Sequence, residues 1–140
     1  MLTSRHEIDV RAQPEEAFDF ISRLDLIPKW MPQIEGVRRV DGAIVWDSSI
    51  AGVSRAWISR ITRYHPGALL DWEGFVDPSA KARITFWAST PRTTTIGATL
   101  GWQPQPGAIG DPACMAAWRL DRGLERLKVL IEGSRLVRAA

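Results

Sequence analysis

The chain has 140 residues, 45% of them hydrophobic and 24% charged, which are the proportions of one ordinary globular domain. Its 18 basic and 16 acidic residues leave a formal net charge of +2 with no run of like charge, which argues against a nucleic-acid partner. Cys114 is the only cysteine, so a disulfide scaffold is excluded.

No apolar stretch approaches the roughly 20 residues that span a bilayer. His6, Glu7 and Asp9 stand where a signal peptide would need an apolar core. The expectation is a single domain over residues 1–140, cytoplasmic and without stable membrane insertion.

Thr3 to Arg11 alternates, with Ile8 and Val10 on one side, and reads as a half-buried strand. Gln13-Pro14-Glu15-Glu16 starts a helix, with proline at the first helical position and acids suited to the dipole. Ala17, Phe18, Ile21 and Leu24 continue it at helical spacing. A second short helix over Leu24 to Trp30 ends near Pro32. Ile34 to Val40 and Ala43 to Ser48 form a hairpin around Asp41-Gly42. Ser54 to Tyr64, Leu69 to Val76, Ala80 to Ala88 and Thr93 to Gln103 follow as strands. Asp111-Pro112 caps a long helix whose apolar face carries Ala117, Leu120, Leu124, Leu127 and Ile131. Gly133 reads as its stop, and residues 134–140 as a frayed tail. Links this short between strands make the sheet antiparallel, and the last helix must cover its apolar face.

The segments Ile8-Asp9-Val10-Arg11-Ala12-Gln13-Pro14-Glu15-Glu16-Ala17-Phe18 and Pro28-Lys29-Trp30-Met31-Pro32 resemble the SRPBCC superfamily. This is the START-like, birch-pollen-allergen-like group that includes the polyketide cyclase/dehydrase family. Arg60 to Gly67, Leu70-Asp71-Trp72 and Leu124 to Lys128 fit the same pattern. The resemblance implies an α+β helix-grip fold. A curved seven-stranded antiparallel sheet wraps around a long C-terminal helix, two short helices follow the first strand, and a deep apolar cavity lies between sheet and helix.

Strand alternation places Arg55, Trp57, Ser59 and Ile61 on the inward face. Leu70, Trp72, Gly74 and Val76 join them, then Ala82, Ile84 and Phe86, then Ile96, Ala98, Leu100 and Trp102. The opposite face carries Arg60, Thr62, Asp71, Glu73, Arg83, Thr85, Thr95 and Thr99, a set suited to solvent. Trp87 also falls outward, where it would serve an edge or dimer contact. Trp30, Met31 and Pro32 sit over one mouth. The candidate ligand-binding set is therefore Trp30, Met31, Trp57, Ser59, Ile61, Trp72, Ile84, Phe86, Ala98, Trp102, Leu120 and Leu124.

Dedicated chemistry is sparse. His6, His65 and Cys114 lie in separate segments and make no metal motif. Ser59, His65 and Asp71 make a poor triad, because Asp71 points outward and His65 sits in a turn. No glycine-rich phosphate loop is present, and no metal or cofactor is expected. The sheet offers no inward carboxylate or histidine as a base. Arg55 is the one candidate catalytic group, able to hold a carboxylate or enolate oxygen. The reading is a binding module for a hydrophobic small molecule such as a lipid, quinone or polyketide. The alternative is an enzyme of the polyketide cyclase/dehydrase type, catalysing aldol cyclisation and dehydration. The expected state is monomer or homodimer.

Overall fold

The computed structural model describes residues 2–50, 53–74, 81–102 and 120–139, and their side chains except at 2, 50, 53, 55, 102 and 134–139. Strand β1 (Leu2–Val10) leads into helix α1 (Pro14–Ser22). A 3₁₀ turn (Leu24–Leu26) then runs into the four-residue α2 (Ile27–Trp30). The expected second helix is thus two pieces, with Pro28 in the first turn of α2, where its missing N–H costs nothing.

Six strands follow: β2 (Ile34–Val40), β3 (Ala43–Ile50), β4 (Val53–His65), β5 (Leu69–Glu73), β6 (Lys81–Thr90) and β7 (Thr93–Trp102). They form a seven-stranded antiparallel sheet with β1, in the order β1-β7-β6-β5-β4-β3-β2. Asp41 and Gly42 both have positive φ, 49° and 81°, and make the tight β2–β3 turn that Asp-Gly favours. A register shift between Ile61 and Arg63 in β4 sets Arg63 opposite Asp71 and Tyr64 opposite Leu70.

The last element, α3, spans Leu120–Ala139. Its expected start at Asp111-Pro112 lies outside the described residues. Gly133 does not stop it: the helix continues through that residue to Ala139, so the backbone is helical where a frayed tail was expected. A glycine inside a helix weakens it by only about 1 kcal/mol against alanine, and Gly133 is not among the glycines with positive φ.

Leu124, Leu127 and Ile131 point into a core shared with Val10, Ile21, Ile27, Trp46, Leu70, Ile96 and Leu100. Helix α3 packs on β1 and α2. Polar ties fix it to the end of β1. Lys128 Nζ donates to the Asp9 carbonyl at 2.6 Å, and the Arg11 N–H donates to Glu132 Oε1 at 3.1 Å. Gly123 allows the close approach of α2. A Cβ there would lie 3.3 Å from the Trp30 carbonyl oxygen and 3.9 Å from Met31 Cγ. Among the described residues no helix is long and apolar enough to cross a membrane.

The outer face is less solvated than alternation alone suggests. Asp71 is 9% exposed and Thr95 7%. Asp71 accepts two hydrogen bonds from Arg83, Nε to Oδ1 and Nη2 to Oδ2, each 2.9 Å. That bidentate pair raises the Arg83 pKa, chiefly through the hydrogen bond to Asp71. Thr95 Oγ1 donates to Asp9 Oδ1 at 2.6 Å. Cross-strand pairing covers both groups. Trp87 is exposed on this face at 40%.

Candidate functional site

The concave face is built around indoles. Trp46 in β3 lies opposite Trp57 in β4, and the rings stack with centroids 5.9 Å apart and planes 4° from parallel. Trp72 meets Trp46 edge-on at 6.1 Å. Trp46 Nε1 donates to Ser59 Oγ at 2.7 Å in the buried interior. Register then sets Trp72 beside Ala82 and Leu100, and Leu70 beside Ile84 and Ala98. The small residues Ala82 and Ala98 leave a gap that their large neighbours do not fill.

That gap is a cavity of about 30 Å³ between the sheet and α3. Ile27, Trp30 and Met31 close it from α2 and the residue after it, Trp46 and Trp72 from β3 and β5, and Ala82 and Ile84 from β6. Ala98 and Leu100 line it from β7, and Leu120 and Leu124 from α3. Arg83 and Thr99 also reach it, yet their polar ends are engaged elsewhere: Arg83 with Asp71, and Thr99 Oγ1 with Arg5 Nη1 at 3.0 Å. The lining is therefore apolar in its chemistry. Its volume is far below the roughly 300–1,000 Å³ of a formed ligand pocket. The deep cavity expected from the resemblance is largely filled by side chains in this conformation.

Of the residues singled out from the sequence, Trp30, Met31, Trp72, Ile84, Ala98, Leu120 and Leu124 meet at this cavity. Trp57, Ser59, Ile61 and Phe86 lie outside its walls. Trp57 is 8% exposed in the stack on Trp46, and Ser59 is the acceptor for Trp46. Ile61 is half-buried opposite Trp72. Phe86 packs on Phe18 of α1 with centroids 5.3 Å apart. The side chains of Arg55 and Trp102 lie outside the described residues. The backbone of Arg55 pairs with Ser48 in β3.

Two wall residues, Ile27 and Trp46, went unnamed. For Trp46 the signal was present, since Ile44, Trp46 and Ser48 alternate as a buried face.

The expectation that no histidine faces inward is corrected. His6 pairs with Ala98 on the side of β1 that carries Ile8 and Val10, is half-buried, and bonds Ser4 Oγ through Nε2 at 3.1 Å. Continuing the Ile8–Val10 alternation two residues back would have found it. The suggested triad finds no support: Asp71 is held by Arg83 and Ser59 by Trp46. Among the described residues no three His, Cys, Asp or Glu side chains come together to hold a metal ion.

Residues 1–132 match the family model for polyketide cyclase/dehydrase and lipid transport proteins. Solved structures share the fold at low identity. A START superfamily protein from Mycobacterium smegmatis superposes with a TM-score of 0.74 at 17% identity, over 94% of this chain and 97% of that one. A protein from Chromobacterium violaceum gives 0.71 at 22% identity, over 93% and 97%. Ara h 8.0201 gives 0.68 at 15% identity, over 97% and 98%. No curated protein matches the sequence.

Proposed function

The chain belongs to the polyketide cyclase/dehydrase and lipid transport family, has the helix-grip fold of SRPBCC proteins, and we propose that it binds a hydrophobic small molecule between the sheet and α3. Family and fold together mark a protein of the hydrophobic-ligand-binding or polyketide-cyclase-like kind. The observation that carries the proposal is the apolar gap at Ala82 and Ala98. Among the described residues it is walled mainly by aromatic and aliphatic side chains, and the one charged residue there, Arg83, has its head held by Asp71.

At about 30 Å³ the gap has room for one or two waters but not for a ligand. Binding therefore opens it. Helix α2 is four residues long and Met31 follows it, so this short segment is the element to move. Ligand is the wedge that holds α2 and α3 apart.

Native mass spectrometry of freshly purified protein, before and after incubation with an apolar ring compound, tests this. A retained or exchangeable apolar adduct is expected. A bare mass under both conditions, with no shift in melting temperature, overturns it.

The alternative reading is a cyclase/dehydrase, and one observation favours it: His6 stands on the concave face in register with Ala98, a cavity residue. In that reading Arg55 polarises the ketone under attack, His6 takes the α-proton of the attacking carbon, and that proton is returned to the alkoxide formed as the C–C bond closes the ring. Turnover of a poly-β-ketone that fell at least a hundredfold in His6→Gln, with the fold intact, would support it. Unchanged turnover removes His6 from the chemistry.

A further inference from the structure

Two residues in the cavity wall carry buried hydrogen-bond donors that meet no acceptor among the described residues. Trp30 Nε1 and Trp72 Nε1 are buried and have no hydrogen-bond partner among the described residues. Each residue is only 4% exposed, and each lines the cavity. Trp46 is the contrast, because the fold supplies Ser59 Oγ to its indole N–H. Buried polar groups are paired in the great majority of cases, and a donor left without an acceptor is destabilising. Two such donors at one apolar gap therefore point to something that enters the gap.

The walls also say what that something lacks. Among the described residues no carboxylate, amide or imidazole lines the cavity, and the Thr99 hydroxyl is taken up by Arg5. A ligand hydroxyl or amine would find no free side-chain acceptor among the described residues of these walls. A plain hydrocarbon would leave both indoles as they are. A carbonyl or ether oxygen accepts from an indole N–H and brings no donor of its own.

We infer that the ligand is an apolar molecule bearing carbonyl or ether oxygens, and that Trp30 and Trp72 select it through their indole N–H groups. The inference rests on the reading that this gap is the ligand site, and it narrows the ligand class within it.

The probes are 1-tetralone and tetralin, which share a bicyclic skeleton and differ in one carbonyl. Affinities are measured for the wild type, Trp30→Phe and Trp72→Phe, and indole N–H resonances are followed by ¹H–¹⁵N NMR. Tetralone is expected to bind about tenfold more tightly than tetralin, the worth of one well-made buried hydrogen bond. At least one of the two indole resonances moves downfield with tetralone and stays in place with tetralin. The matching phenylalanine variant loses the tenfold preference; its smaller ring also enlarges the gap, so the ratio between the two probes is what is read, not either affinity alone.

Equal affinities, or indole resonances unmoved in the tetralone complex, overturn the inference and leave the cavity reading standing. Binding of neither probe removes the cavity reading and the inference with it. The wild-type resonances decide the matter even where a variant fails to fold.

Discussion

Replacing Leu124 by alanine should move stability and affinity in opposite directions. Leu124 is 2% exposed and lines the cavity from α3. Buried leucine-to-alanine changes cost about 3–5 kcal/mol when the surroundings collapse only in part. Unfolding entropy of about 2.1 cal/mol/K per residue gives about 0.3 kcal/mol/K for a chain of this length, so the melting temperature should fall by roughly 10–17 °C. A cavity that takes up a benzene-sized ring measures about 150 Å³. The wild-type gap is about 30 Å³. About 120 Å³ must therefore be opened, and at about 24 cal/mol per Å³ that costs about 3 kcal/mol, or roughly a hundredfold in affinity. The variant has part of that space already. Its affinity for 1-tetralone should rise at least tenfold above wild type, measured by titration calorimetry below both melting transitions. An affinity that stays level or falls while the melting temperature drops as expected would refute the reasoning, because the opened space would then not be where ligand sits.

Ser59→Ala leaves Trp46 Nε1 buried without its acceptor, and should cost about 1–3 kcal/mol in urea unfolding with little change in m-value. Asp71→Asn weakens a pair that is geometrically good but half-exposed on the arginine side, where side-chain exposure is 51% against 12% for the carboxylate. A double-mutant cycle with Arg83→Ala should give a coupling of about 0.5–1 kcal/mol, reduced by salt. Glu132 accepts from the Arg11 N–H and pairs with Lys128 at 3.3 Å. Burial pushes its pKa up, but the Arg11 N–H and Lys128 together push it down further and leave it below its ordinary value of 4.5. A depressed carboxylate contributes stability above the unfolded-state value, lost as pH falls through the folded-state value. Glu132→Gln should thus lower stability at pH 7 and flatten the loss of stability below about pH 4.5, read from melting temperatures across pH 3–7.

The element order was legible because each element carries its own local signal. Pro14 with two acids marks a helix start, Asp41-Gly42 marks a tight turn, and strict alternation marks β4 to β7. What alternation could not reveal was the register shift in β4 between Ile61 and Arg63, because an extra residue is visible only against its partner strand. The helix end failed for a related reason. Gly133 costs α3 little when nothing nearby requires a left-handed turn, and a Cβ there would meet nothing within 4 Å. Much of the cavity wall was readable from periodicity. Its size was not, because volume depends on how Trp30, Trp46 and Trp72 tilt into one another across three separate elements. The pairing of Asp71 with Arg83 was equally hidden. Both residues read as solvated, and only the β5–β6 register sets them side by side.

The stack of Trp46 on Trp57, with Trp72 against its edge, also has an optical consequence. Rings about 6 Å apart pass electronic excitation among themselves far faster than they emit. The three indoles thus behave as one chromophore, whose glow is set by whichever ring has the nearest quencher. A guest that darkens Trp72 alone would dim the whole trio, so the unlabelled molecule carries its own lamp at the place where occupancy is to be read.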